Sequence, residues 1–500
     1  MAQGVGRAYP RRVELGLEQR RRLTLAATII GSSLAFIDAT VVIVALPTIE
    51  QDLGLGLSGQ QWVFLSYSLA LASLYLAGGA IGDRYGRRRT FIAGAAGFAL
   101  ASLLAGAAPN EAVLLLARLL QGVAGAFLTT NSLALIRATY GDQAGRAIGL
   151  WTAWTSVATI AGPPAGGALV EWVSWRWIFL INLPLAALAV LAAHYGKCDE
   201  TAQQRLGRLD VPGAVLAALG FGSLTYGLVE GADRGFPEVW WAFVVGVVAL
   251  AAFVVAERRS SQPMLPFELF RRRNFAAANL ETFLVYAALY GVFLYLTLYV
   301  QFLGFTPFEA GLIQIPSSLV MILLAARFGA IADRTGPRLL LTVGPALVGV
   351  GALMFLLVTD RDDFWIWGIG GLLVFSFGLA MLVAPITSTA LKSAPSEFAG
   401  IASAVNNSVS RIGSLCSVAI IGLVVQRVFE RNDGTGTPLE PTSTAVDHAA
   451  NVDAFRAGML VAAVLAFAGA IVGAAWISNR EARASDEPVS EPAPVPAGGS

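Results

Sequence analysis

The chain has 500 residues, of which 56% are hydrophobic and only 13% are charged, with a formal net charge of +1. Soluble domains average roughly 25% charged residues, so this composition excludes a large soluble protein and favours one that is solvated by a bilayer. The balanced charge gives no argument for a nucleic-acid partner, and two cysteines supply no disulfide framework. The arginine-rich segment before Leu23 lacks the apolar core of a cleavable signal peptide, and we expect none.

Fourteen apolar runs of about 20 residues follow one another along the chain, and this is the length of a helix that crosses a bilayer. We therefore predict an all-α integral membrane protein. The predicted spans are 23–46, 60–81, 91–108, 112–135, 146–170, 177–195, 211–230, 239–256, 275–302, 310–331, 339–358, 364–390, 399–425 and 456–477. The alternative, a large enzyme with a buried core, does not explain fourteen apolar segments at this spacing.

The positions of lysine and arginine orient the spans, because cytoplasmic loops are enriched in these residues. With the N-terminus inside, 25 of the 34 lie in inner segments, 6 in outer segments and 3 within spans. Both termini are therefore predicted to face the cytoplasm. Only Lys197 and Lys392 are lysines, a bias that is typical of GC-rich bacterial genomes and predicts the cell inner (plasma) membrane.

One charged block occurs twice. "GAIGDRYGRRR" covers 79–89, and "GAIADRTGPR" covers 329–338, 250 residues later. The first block joins spans 2 and 3 and the second joins spans 10 and 11, so the two blocks lie eight spans apart on the inner side. Two six-span repeats alone would separate them by six spans. The offset thus predicts two six-helix bundles with two further helices inserted between them.

This layout divides the chain into five segments. They are an N-terminal cytoplasmic segment (1–22), a six-helix bundle (23–195), a linker with two inserted transmembrane helices (196–274), a second six-helix bundle (275–478) and a cytoplasmic tail (479–500). The tail is rich in proline and is predicted to be disordered.

Two ionisable residues lie at matching depths inside spans. Asp38 is 15 residues beyond Leu23 and so about 8 Å from the outer face of a core about 30 Å thick, while Arg118 is about 9 Å below that face. An ion pair, or competition between a proton and a cation for Asp38, is geometrically allowed. Alternatively, Asp38 satisfies polar neighbours and Arg118 anchors two spans. Because a carboxylate inside a span costs at least ~2.5 kcal/mol, we favour a functional role.

Four further stretches, together with the charged block, carry a family resemblance. They are "FIDATVVIVALPTI" (36–49), "RLLQGVAGAF" (118–127), "AGPPAGG" (161–167) and "WRWIFLINLP" (175–184). In this order they resemble the signatures of the fourteen-span drug:proton antiporters of the major facilitator superfamily. The chain departs from those signatures at Ile43, where an asparagine is usual, at Ala124 and Gly125, which are exchanged, and at Thr130, where a proline is common.

The resemblance implies the major facilitator fold and roles for specific residues. Asp38 and Arg118 would couple proton movement to substrate charge. Asp83 would dock on the start of span 13 near 399–402, and Asp333 on the start of span 5 near 145–149. The cytoplasmic gate would comprise Gly79, Asp83, Arg84, Gly86, Arg87, Arg88, Gly329, Asp333, Arg334 and Gly336. The antiporter motif would be a close-packed, leak-preventing hinge made by Gly162, Pro163, Gly166 and Gly167.

Several other residues within the spans are candidates for the wall of a substrate cavity. They are Trp151, Trp154, Tyr286, Tyr290, Glu281, Asn406 and Arg411. Aromatic side chains would suit hydrophobic or cationic drugs, although lipid-facing or interfacial positions are the alternative. Glu281 either extends to the cytoplasmic surface or forms a second acidic site.

These features predict a proton-coupled efflux transporter for hydrophobic, often cationic small molecules, which works by alternating access. Its partners would be the substrate, protons and the lipid bilayer, and it would act as a monomer without nucleic acid, cofactor or metal. No enzyme chemistry is indicated, because neither a metal-ligand cluster nor a phosphate-binding loop is present in the sequence. The alternatives are a dedicated exporter of one endogenous metabolite and a non-transporting membrane sensor or scaffold.

Overall fold

A computed structural model describes residues 16–196, 211–259, 267–395, 398–441 and 444–480. Most of the predicted N-terminal segment, parts of both loops around the predicted insert and nearly all of the predicted disordered tail lie outside the described residues. Within the described ranges the regular elements are all helical. The helices are Leu17–Leu53 (α1), Gly56–Tyr85 (α2), Arg87–Gly106 (α3), Glu111–Tyr140 (α4), Ala144–Trp172 (α5), Trp177–Leu180 (α6), Asn182–Tyr195 (α7), Val211–Asp233 (α8), Phe236–Arg259 (α9), Arg273–Phe302 (α10), Pro307–Ile313 (α11), Ile315–Thr335 (α12), Arg338–Met354 (α13), Arg361–Asp363 (α14), Ile369–Lys392 (α15), Ala399–Arg431 (α16) and Ala445–Trp476 (α17).

Twelve helical segments of the described chain are long and apolar enough to cross a bilayer, or thirteen if the two parts of the bent α2 count as one span. Helices satisfy their own backbone hydrogen bonds, so they are the form in which such segments enter lipid. Helix α5 is not among these segments, because prolines, glycines and hydroxyl side chains lower its hydropathy. The predicted number of fourteen, which counts α5 as well, stays a prediction.

The helices before α8 and those after α9 pack in the same way. In the first group the neighbours are α1 with α4, α5 and α7, α2 with α4, and α3 with α4 and α7. In the second group the equivalent neighbours are α10 with α15, α16 and α17, α12 with α15, and α13 with α15 and α17. These six pairs of the first six-helix bundle therefore recur in the second, as the repeated block predicts for a major facilitator fold.

We call the end of the molecule where α1 ends and α2 begins the outer end, following the predicted orientation, and the opposite end the inner end. Helices α8 and α9 form a hairpin that lies against α2 and α16, one helix from each bundle. Near the outer end, Trp62 of α2 donates to Glu230 of α8 at 2.9 Å. There, Arg427 of α16 donates to the carbonyl of Gly231 at 3.1 Å. The inserted hairpin thus contacts both bundles.

The two charged blocks form equivalent turns at the inner end. Gly86 and Gly336 have φ angles of +97° and +94°, which favour glycine because it has no Cβ atom. After these turns, Arg88 donates to the carbonyls of Ala193 and His194 at the end of α7. Arg338 donates in the same way to Ala474, near the end of α17, at 2.6 and 3.0 Å. Each block therefore caps the last helix of its own bundle, where the helix dipole favours a cation.

The two bundles meet closely at the outer end, where α5 contacts α11. A Cβ atom added to Gly167 would lie 2.3 Å from the carbonyl oxygen of Pro307, and one added to Gly311 would lie 2.3 Å from that of Pro163. The indole of Trp172 also packs on Phe308, with ring centroids 5.0 Å apart. These glycines allow the two backbones to touch, which closes the outer end on this side.

We expect Gly167→Ala to destabilise this closed outer end by about 1–3 kcal/mol, because the added methyl group overlaps backbone atoms. The measurement is thermal unfolding of the purified protein, followed by tryptophan fluorescence. Gly149→Ala is the matched control on the same helix, since its Cβ atom would have no neighbour within 4 Å. Equal melting temperatures for the two variants would contradict the packing argument.

Candidate functional site

Asp38 of α1 and Arg118 of α4 form a buried ion pair. Asn110 caps α4 by accepting a hydrogen bond from the Val113 amide at 3.1 Å, so the helix carries Arg118 about two turns into the bundle. Arg118 Nη1 lies 2.5 Å from Asp38 Oδ2, and the two side chains are 0% and 1% exposed. The two helices are thus joined by opposite charges that are out of contact with water.

Neutral polar side chains complete the surroundings of this pair. Gln121 accepts from Arg118 Nη1 at 2.9 Å and donates to Asp38 Oδ1 at 3.3 Å. Asn182 of α7 donates to the same Asp38 oxygen at 3.4 Å. Ser102 of α3 accepts from Gln121 at 2.8 Å and from Asn182 at 3.3 Å. Four helices therefore supply the hydrogen bonds that a buried charge requires.

The guanidinium group of Arg118 is enclosed by aromatic rings and backbone. Its carbon lies 4.6 Å from the centre of the Tyr67 ring and 5.8 Å from that of Phe179, and Nε donates to the carbonyl of Val63 at 3.0 Å. Arg118 Nη2 is buried and has no hydrogen-bond partner among the described residues. Because Asp38 is enclosed with it, a cationic substrate has no access to this carboxylate in the present conformation.

The sequence analysis missed three members of this network. Gln121 and Asn182 lie within stretches that carry the family resemblance, so their positions were available as a signal. Both side chains are neutral amides, and a neutral amide inside a span is weaker evidence for a functional site than a charged side chain is. Ser102 carried no signal, because an isolated serine in an apolar helix is common.

Three of the predicted cavity residues lie together at a second polar cluster. Arg411 of α16 donates to the hydroxyl of Tyr290 of α10 at 3.0 Å, and the rings of Tyr286 and Tyr290 have centroids 6.4 Å apart. The ring of Phe64 from α2 lies 6.0 Å from that of Tyr290. The cluster therefore contains side chains from both bundles.

The other predicted cavity residues do not join this cluster. Trp151 donates to Ser32 of α1 at 3.1 Å and so packs within its own bundle. Asn406 donates to Thr282 at 2.8 Å and joins α16 to α10. The side chain of Trp154 is 58% exposed. Trp151 and Asn406 thus hold helices together, as polar side chains in spans commonly do.

Glu281 is enclosed in the second bundle. Its side chain is 0% exposed, and neither carboxyl oxygen has a hydrogen-bond partner among the described residues. It does not extend to the cytoplasmic surface, which was one of the two predicted alternatives. The other alternative, a second acidic site, stays a prediction.

The four residues of the antiporter motif all lie at helix contacts. A Cβ atom added to Gly162 would lie 2.5 Å from Thr40 Oγ1, and one added to Gly166 would lie 2.7 Å from Val41 Cγ1. These two glycines face α1, whereas Pro163 and Gly167 face α11 as described above. The motif therefore packs α5 against its own bundle and against the other bundle at once.

The predicted gate aspartates are bound within their own bundles. Asp83 accepts from Arg87 at 2.8 Å, and Asp333 accepts from Lys392 at 3.1 Å. Gly145 and Gly149, which Asp333 was expected to face, would have no neighbour within 4 Å of an added Cβ atom. The docking contacts stay a prediction for another conformation, in which the inner end is closed.

Removing one charge of the buried pair is expected to cost more stability than removing both. Asp38→Asn leaves Arg118 buried without a counter-ion, a loss of about 3–5 kcal/mol, whereas Asp38→Asn combined with Arg118→Gln removes the unpaired charge. Melting temperatures of the single and double variants measure the difference. Asp52→Asn on the same helix breaks a half-exposed pair with Arg176 and should cost about 1 kcal/mol or less. A double variant that is less stable than Asp38→Asn would contradict this account.

Relatives among known proteins are drug-resistance and export proteins. Multidrug resistance protein Stp of Mycobacterium tuberculosis is 36% identical over 419 residues, which are 82% of this chain and 76% of that protein. The puromycin resistance protein of Streptomyces alboniger is 34% identical and the match covers 90% and 92% of the two chains. The tetracenomycin C resistance and export protein of Streptomyces glaucescens is 31% identical, with 96% of each chain covered.

Solved structures with lower identity share the fold. A bacterial homologue of the human lysosomal transporter Spinster, in an inward-facing and unoccupied conformation, matches with a TM-score of 0.66 and 17% identity over 93% of this chain and 98% of that one. A D-xylose–proton symporter matches with a TM-score of 0.63 and 14% identity over 91% and 97%. The sequence profile of the Major Facilitator Superfamily matches residues 28–417. On this match and on its relatives, the chain is a multi-pass membrane protein that belongs to the Major Facilitator Superfamily.

Proposed function

We propose that the protein exports hydrophobic small molecules from the cell and couples export to the inward movement of protons. The observation that carries the proposal is the Asp38–Arg118 pair, a titratable group that is buried inside a transporter fold. The relatives of this chain include a multidrug resistance protein and a resistance and export protein that is named for a single antibiotic, tetracenomycin C. Drug efflux is therefore the activity proposed, and a dedicated exporter of one metabolite is the second candidate.

The proton is proposed to act by competing with Arg118 for Asp38. A proton on Asp38 removes its negative charge, and Arg118 then lies in the bundle without a counter-ion. Since Gln121 and Asn182 hold the same carboxyl group, the helices that carry them must shift when the pair is broken. An inside-negative membrane potential would add about 2.3 kcal/mol per proton for each 100 mV.

Alternating access is proposed to exchange one closed end for the other. The outer end is closed by the α5–α11 contact in this structure. In the opposite state, Asp83 would dock on the start of α16 and Asp333 on the start of α5, where the N-terminal ends of helices favour a negative charge. The gate residues near these aspartates would then lie at the closed inner end.

The membrane arrangement is part of the proposal. We infer fourteen spans with both termini in the cytoplasm, in the cell inner (plasma) membrane, and a monomer as the working unit. Two observations support this arrangement. One is the distribution of lysine and arginine, and the other is the position of α5 between α4 and the segment Trp177–Tyr195, which are both long and apolar enough to cross a bilayer. A membrane sensor or scaffold that has lost transport is the remaining alternative, and the intact ion pair argues against it.

Asp38→Asn is expected to abolish export against a gradient and to leave downhill exchange. The neutral side chain no longer takes up or releases a proton, so the proton gradient has no link to the substrate. The test uses proteoliposomes that contain a pH-sensitive dye. The quantity measured is the proton flux that depends on added puromycin. Asp52→Asn is the control on the same helix. If Asp38→Asn still drives uphill export, the coupling role is refuted.

Asp83→Asn is expected to reduce export several-fold with almost no change in melting temperature. In the present conformation Asp83 forms only a part-exposed pair with Arg87, which stabilises little, whereas the proposed docking contact forms in the opposite state. Export of puromycin and thermal unfolding are measured on the same preparation. Glu18→Gln, which breaks the exposed Arg22–Glu18 pair of the same spacing, is the control. Equal export by the two variants would argue against the gate.

A further inference from the structure

Arg411 is a cation within a span that has no acidic partner. Its Nη1 atom donates to the Tyr290 hydroxyl at 3.0 Å, and no Asp or Glu oxygen of the described residues lies within ion-pair distance of it. Phenol oxygen is a neutral acceptor, so the positive charge stays uncompensated. Charges inside a membrane protein are normally paired, because an unpaired charge is expensive to bury. Arg118, by comparison, forms an ion pair with Asp38.

The position of Arg411 is between the bundles and near mid-membrane. It lies 12 residues after the start of α16 at Ala399, which is about 18 Å along the helix. Tyr290 belongs to the same bundle, while Phe64 of α2, which packs on Tyr290, belongs to the other. Arg411 is partly exposed beside this contact. Substrate sites of transporters with two bundles lie at this depth and at this interface.

Aromatic side chains surround the charge. Tyr286 and Tyr290 of α10 lie with centroids 6.4 Å apart, and the Tyr290 ring centroid is 5.8 Å from the Arg411 guanidinium carbon. Flat rings offer stacking surface for an aromatic molecule, and a partly exposed guanidinium group binds a carboxylate or phenolate oxygen with two parallel hydrogen bonds.

Acidic groups of the bundles are, in contrast, closed off. Asp38 is 1% exposed and bound to Arg118, Gln121 and Asn182, and Glu281 is 0% exposed. Neither carboxyl group faces open space in this conformation. The charge that is available to a substrate here is therefore positive, which is opposite to what Asp38 suggested from the sequence.

We infer that Arg411, with Tyr286 and Tyr290, forms a subsite for aromatic molecules that carry an acidic group, such as a carboxylic acid or an acidic phenol. This inference rests on the proposed export function and assigns the charge of one substrate class. The acidic oxygen would take the free donors of Arg411, and the ring system would lie among the tyrosines. An inside-negative potential favours the outward movement of such an anion.

Fluorescein and rhodamine 123 test the inference, because they share a ring system and carry opposite charges. Export of each dye is measured in proteoliposomes, with puromycin as a third compound. Arg411→Gln should lower fluorescein export about tenfold, the effect of losing one charge-assisted hydrogen bond. Rhodamine 123 export should stay the same or rise, since a positive charge has been removed. Arg411→Lys should restore part of the fluorescein export.

Arg427→Gln is the matched control on the same helix, because Arg427 already has an acidic partner in Glu430 at 3.1 Å. Thermal unfolding of each variant excludes loss of the fold. If Arg411→Gln lowered the export of both dyes equally, the subsite would be overturned. The same would hold if the unmodified protein exported puromycin but no fluorescein. Failure of the unmodified protein to export any of the three compounds would instead overturn the proposed function.

Discussion

The buried pair of Asp38 and Arg118 is the constraint on which the first bundle depends. Two opposite charges in an apolar interior stabilise the fold only while they stay together, because either charge alone is costly to bury. Gln121, Asn182 and Ser102 extend the pair to α3 and α7, so four of the helices in this bundle share one polar centre. A change in the charge of Asp38 therefore acts on the packing of the whole bundle, which is what coupling to a proton requires.

The second bundle repeats the packing of the first but not its charges. Six pairs of neighbouring helices recur, as do the glycine turns at Gly86 and Gly336 and the arginines that cap α7 and α17. The first bundle encloses an ion pair. In the second bundle, Arg411 has no acidic partner and Glu281 no hydrogen-bond partner among the described residues. The architecture of the two bundles is thus similar while their buried charges differ. This difference fits the proposed division of tasks, with proton coupling in the first bundle and substrate binding in the second.

The helical spans and the matching depths of Asp38 and Arg118 could be predicted from the sequence alone, because bilayer thickness sets the length of the apolar segments and the depth of each residue along them. The six-plus-two-plus-six layout, with its fourteen spans, stays a prediction. The sequence did not identify the amide partners, since a neutral Gln or Asn gives no signal until its neighbours are known. Nor did it place Trp151 and Asn406, because a helical pattern shows which residues share a face and not which helix that face meets.

In the proposed transport cycle, the same two pairs of neighbouring helices would connect the bundles at the outer end and at the inner end. At the outer end, α5 meets α11 through Gly167 and Gly311, and α2 approaches α10 and α16, with Gln61 donating to Tyr295 at 3.0 Å. The docking sites predicted for Asp83 and Asp333 lie at the inner ends of α2 with α16 and of α12 with α5. The outer contacts are glycine-mediated and short-ranged, while the predicted inner ones are electrostatic. If each helix pair rocked about its middle, the outer contacts would break as the inner contacts formed. The two ends of the molecule would then not be closed at the same time, and a substrate near Arg411 would be accessible from one side of the membrane at a time.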